Sequence, residues 1–139
     1  QAVVRVRIRL ADGREGWGVA AESLAAKWFD KNPALTDAQN EHQLRRALEL
    51  AEAATLAHGP GTAFGHFANT YAAVTAAAGA EALNPLVASY GRALLDRAML
   101  DALLKLHGVS FWAGMRAIIG GMVPHAIVPD PRAFDFAAM

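Results

Sequence analysis

The chain has 139 residues, 54% of them hydrophobic and 19% charged, which suits one domain with its own core and is too apolar for a disordered segment. Thirteen basic residues balance thirteen acidic ones and Cys is absent; this argues against a nucleic-acid partner and excludes disulfide scaffolds, thiol chemistry and Cys-ligated zinc. No stretch approaches the roughly 20 apolar residues of a bilayer span and no signal-peptide pattern opens the chain, so a cytoplasmic protein with no membrane partner is expected.

Val4, Val6, Ile8 and Leu10 alternate with Arg5, Arg7 and Arg9, the period-two signature of a half-buried strand. Asp12-Gly13 then supplies a turn, and Glu15–Ala21 a returning strand. Gly16 and Gly18 flank Trp17, which predicts a bulge or a close backbone approach on that strand. The next segment has room for a helical turn over Ser23–Phe29 before Lys31-Asn32-Pro33 breaks it. It reads as a structured loop carrying Lys27, Trp28 and Phe29.

Three helices are predicted to follow. Thr36-Asp37-Ala38-Gln39 fits a capping box, and Leu44, Ala47, Leu48 and Ala51 form the apolar stripe behind it. Glu41–Arg45 and Arg45–Glu49 are spaced for i,i+4 pairs, and Gly59-Pro60-Gly61 is the stop. An Ala-rich helix runs from about Ala63 to Ala78, with Gly79 as its expected end. Asn84 and Pro85 open the third helix as N-cap and N1 residues. Its stripe runs through Val87, Tyr90, Leu94, Ala98, Ala102 and Leu106, with Leu95, Met99 and Leu103 beside it and Gly108 at the close. Gly91 reads as a defect that costs about 1 kcal/mol against Ala. A short helical piece after Phe111-Trp112, the run Ile118-Ile119-Gly120-Gly121 and a short buried strand at Ala126-Ile127-Val128 complete the pattern.

Strands followed by helices indicate an α+β fold rather than a wound α/β sheet. A lone two-stranded hairpin is marginal in water. A third strand is therefore expected before Gln1, and a partner for the strand near Ile127 after Met139, so that both ends look cut. Among candidate sites, the five His residues show no metal-ligand spacing. Asp101 and Lys105 are spaced i,i+4; a structural ion pair or a contact with a following domain is favoured over an acid–base pair, and Asp96 is expected to act similarly. Arg5, Arg7 and Arg9 read as a solvated stripe, or one paired with acids.

The hairpin Val3-Val4-Arg5-Val6-Arg7 with Asp12-Gly13-Arg14-Glu15-Gly16-Trp17-Gly18, the helix Leu94–Val109 and the closing Ile118-Ile119-Gly120-Gly121 together resemble the capping domain of the enolase superfamily. The mandelate racemase and muconate lactonizing branch is the nearest likeness. Asp101, Lys105, Gly108, Gly120 and Gly121 fall at the matching motif positions, while Val19 stands where many members have Glu. The resemblance implies that residues 1–121 form a capping domain without its first strand, and that 122–139 are a linker and the start of a first barrel strand. It further implies a lyase, racemase or cycloisomerase that abstracts a proton α to a carboxylate with the help of magnesium. The catalytic groups and metal ligands would then lie in a barrel after Met139, and none in this chain. The expected partners are that barrel, a small carboxylate substrate and further copies in a homo-oligomer. By the same likeness Lys27, Trp28 and Phe29 are lid candidates, against the alternative that the two aromatics staple the loop to the helices. The rival to the whole reading is a non-catalytic binding or oligomerisation module of the same fold.

Overall fold

Strand β1 (Ala2–Arg9) pairs antiparallel with β2 (Glu15–Glu22), Ala2 opposite Glu22 and Arg9 opposite Glu15. Gly13 provides the positive φ of the turn, 88°, and the Leu10 N–H donates to the Arg14 carbonyl at 2.8 Å. A computed structural model describes residues 1–123 and Ala126. The strand expected over Ala126–Val128 and the linker assigned to 122–139 therefore fall largely outside the described residues.

Among the described residues five helices follow: α1 (Ala26–Phe29), α2 (Asp37–His58), α3 (Ala63–Ala80), α4 (Pro85–His107) and α5 (Phe111–Arg116). The fold is α+β, as its sequence pattern predicts, with α1 as one helical turn inside the expected loop. Four helices start on a side-chain cap. Thr36 makes the full box with Gln39, and Thr62, Asn84 and Ser110 accept the N–H of Gly65, Val87 and Ala113. None of the helices among the described residues is long and apolar enough to cross a membrane.

Helix α4 is the axis of the core. Leu94, Ala98 and Ala102 are each 0% exposed, between the hairpin on one side and α2 and α3 on the other. Two glycines make that packing possible. A Cβ on Gly18 would lie 2.8 Å from the Ala102 Cβ and nearer still to the Ala98 carbonyl and the Ala102 nitrogen. A Cβ on Gly91 would lie 2.5 Å from the Leu48 Cα, on the backbone of α2. Gly91 is thus the crossing point of two helices, not the defect that propensity alone suggests. The close approach expected at β2 is the contact of Gly18 with α4.

Two other expectations need correction. Helix α3 passes through Gly79 to Ala80, and the chain turns at Ala82 with φ 56° while the Leu83 N–H reaches back to the Ala78 carbonyl at 3.0 Å. The hydrogen bonds of that turn, rather than the glycine, end the helix. Arg45 does pair with Glu41, at 3.2 Å, but Glu49 is taken by Arg46 at 2.8 Å. Arg46 also binds Glu81 at 2.7 Å, so it joins α2 to the end of α3 and draws Glu49 into a pair three residues away instead of four.

Candidate functional site

The three lid candidates sit on one short segment and have three different surroundings. Phe29 is half-buried, its ring edge-on to Tyr90 with centroids 5.1 Å apart at 83°. The Asn84 side-chain amide donates to the Phe29 carbonyl at 3.3 Å, which fixes the end of α1 on the start of α4. Lys27 donates through Nζ to the carbonyls of Asn32, at 3.2 Å, and Leu35. Two Asx turns tighten the same stretch: Asp30 accepts the Asn32 N–H at 2.9 Å and Asn32 accepts the Ala34 N–H at 3.0 Å. Trp28 faces outward, 72% exposed, and has no aromatic partner among the described residues. Phe29 is therefore the staple and Trp28 is the projecting group. Lys27 closes the loop on itself, because carbonyls without helical partners converge on its ammonium group.

Asp101 and Lys105 are brought together at 2.6 Å on α4. The same Asp101 oxygen accepts the Val19 N–H at 2.8 Å, so the carboxylate also ties α4 to β2. Both partners favour the charged form, the Lys105 side chain first and the Val19 N–H second, and hold the Asp101 carboxyl below its ordinary range. A carboxyl depressed in the folded state stabilises the fold above its unfolded pKa, about 3.9, and that contribution is lost as pH falls through the lower folded value. Asp101→Asn should lower stability at neutral pH and flatten the acid limb of a plot of melting temperature against pH. An unchanged acid limb would show that the pair contributes nothing there.

Gly108 takes the left-handed conformation, φ 65°, at the end of α4, where its N–H reaches the Lys105 carbonyl at 3.1 Å. The Gly120 carbonyl accepts the Phe64 N–H at 3.0 Å, and Gly121, φ 69°, leaves room for Thr62. These two glycines dock the chain after α5 against the start of α3. The motif positions are thus structural joints at one end of the helices.

Asp96 has different surroundings. It has no ion pair among the described residues and lines an apolar cleft of about 90 Å³ with Phe64, Leu100, Met115 and Ile118. Burial pushes its carboxyl upward, so its ionisation works against folding. His58 and His66 face each other with ring centroids 5.0 Å apart, and burial followed by the charge of His58 depresses His66. Among the described residues no three His, Asp or Glu side chains gather to hold a metal ion.

The sequence reading did not find Tyr90 and Asn84 as anchors of the loop. Tyr90 already lies on the apolar stripe of α4, but its partner stands 61 residues earlier in sequence, beyond the reach of any periodicity. Comparison with protein-family models, with curated proteins and with solved structures finds no match.

Proposed function

We propose that this chain is a capping domain of the enolase-superfamily kind, which encloses a small carboxylate held by a separate catalytic barrel and supplies no catalytic group itself. The observation that supports the reading is the exposed Trp28 indole on a loop fixed from both sides by Phe29–Tyr90 and by Lys27. A preformed loop that presents a large flat apolar group covers a ligand and excludes water at little ordering cost. The donor chemistry of the chain agrees with this division of labour. Asp101 is engaged by Lys105 and Val19, Glu81 by Arg46 and Asp12 by Arg14, so these carboxylates are not free for a divalent ion. Under this reading the magnesium, the acid and the base belong to the barrel, and the whole protein is a cytoplasmic homo-oligomer.

The deciding experiment uses the whole protein encoded around this segment. With magnesium it should exchange the proton α to a carboxylate for deuterium. Trp28→Ala should lower kcat/KM by about tenfold, equivalent to ~1.4 kcal/mol of transition-state binding, with stability changed by no more than ~0.5 kcal/mol. Phe29→Ala should instead destabilise by about 2–3 kcal/mol, less than the ~3–5 kcal/mol of a fully buried Phe. A coding region with no barrel, or normal turnover of the Trp28 variant, would sink the proposal.

A further inference from the structure

Two imidazoles meet where α2 gives way to α3. His58 is the last residue of α2, and His66 lies near the start of α3. The turn between them is held from several sides. Gly59 leaves α2 with φ 78°, Thr62 caps α3 by accepting the Gly65 N–H at 2.9 Å, and the Gly120 carbonyl accepts the Phe64 N–H at 3.0 Å. The two rings are therefore set in place by the backbone on either side of them.

The ring planes are inclined at 65°, with centroids 5.0 Å apart. An edge-on aromatic contact accounts for that spacing but not for the nitrogens. Nδ1 of each ring is buried without a hydrogen-bond partner among the described residues, a state that folded proteins rarely keep without a use for it. Gly61 shows where such a use lies. A Cβ built on it would stand 3.6 Å from His58 Nδ1 and 3.6 Å from His66 Nε2. One nitrogen of each ring thus borders the same small space, which is free because residue 61 has no side chain. Gly61 itself is exposed, which gives an ion a short path from solvent.

We propose that His58 and His66 form a two-imidazole site for a divalent transition-metal ion of the zinc type, bound through His58 Nδ1 and His66 Nε2, with water completing the tetrahedron. Zinc–nitrogen bonds of about 2.0–2.1 Å at a tetrahedral angle set two ring centroids about 5.2 Å apart, and a square-planar pair of neighbours would set them about 4.5 Å apart. The observed 5.0 Å matches the tetrahedral case better. Imidazole donors suit zinc rather than magnesium or calcium, which want several oxygens, and among the described residues no Asp or Glu makes the pair a trio. An ion held here fastens the end of α2 to the start of α3. The site shares no residue with the Trp28 loop, and the proposal stands independently of the capping-domain reading.

The probe is zinc ion alone, titrated into the full chain at neutral pH and followed by calorimetry. One ion per chain should bind with a sub-millimolar dissociation constant, the melting temperature should rise with added zinc, and the ring resonances of His58 and His66 should shift together. His58→Gln and His66→Gln should each weaken binding by roughly tenfold or more. Gly61→Ala keeps both rings but puts a methyl group into the shared space, 3.2 Å from His58 Cε1. It should weaken zinc binding to a similar degree while the metal-free melting temperature stays close to that of the parent. His42→Gln and His107→Gln, at exposed positions, should leave the affinity unchanged. Absence of zinc binding at millimolar concentration, full affinity in the His58, His66 or Gly61 variants, loss of affinity in the His42 or His107 variants, or equal binding of magnesium would overturn the proposal.

Discussion

Gly91→Ala should destabilise the protein by about 2 kcal/mol although it improves helix propensity. Ala is favoured over Gly inside a helix by about 1 kcal/mol. Against that gain, the new methyl would meet the Ala47 carbonyl and the Leu48 Cα of α2. Backbone atoms cannot rotate aside, so the two helices must separate, and overpacking of this kind costs about 1–3 kcal/mol, more in severe cases. Gly79→Ala is the matched control. It lies inside α3 with nothing within 4 Å of the added carbon, so it should stabilise by roughly 0.4–1 kcal/mol. Urea denaturation of both variants decides the matter through the sign. Two shifts in the same direction would mean that the crossing of α2 and α4 is looser than the contact at Gly91 requires.

Leu94→Ala should have the larger effect, a loss of about 3–5 kcal/mol. Leu94 is 0% exposed and sits among Leu44, Val74, Val87, Tyr90 and Ala98, contributed by three different helices. Rigid helices on several sides cannot all collapse into the space left by the side chain, so most of the cavity should persist. The melting temperature should fall by roughly 10–20 °C. Leu56→Ala, at an exposed position of α2, should stay within about 0.5 kcal/mol of the parent. Equal losses at the two positions would place the core elsewhere than around α4.

What was legible in the sequence is what nearest neighbours decide. Asp12-Gly13 specifies a turn, Thr36 with Gln39 a capping box and Asn84-Pro85 a helix start, because each signal completes itself within four residues. The apolar stripes of α2 and α4 were equally readable, and they are buried except at Leu48 and Leu106, which are half-buried. Features that depend on a distant partner were not. Gly91 has meaning only once Leu48 is known to cross it, and Phe29 becomes an anchor only beside Tyr90. Asp96 and Asp101 look alike in sequence; one meets Lys105 and Val19, and the other faces Phe64 and Met115. The candidate site was legible as a place, the segment around Trp28, but not as a division of roles, because the carbonyls that hold Lys27 exist only after the loop has closed.

The docking of β2 on α4 has a consequence for synthesis. Gly18 rests against Ala98 and Ala102, so the hairpin emerges from the ribosome long before the helix that buries it. The 85 residues from Ser23 to His107 take roughly 4–17 s to translate at about 5–20 residues per second. A lone hairpin is marginal in water over that interval, while α2 and α3 need only local contacts to begin forming. The nascent chain should thus assemble from the middle outward and recruit its first strands last, when α4 is complete. During that wait the outer edge of β2 is open to other nascent chains, and closure of α4 brings Asp101 to the Val19 N–H on it.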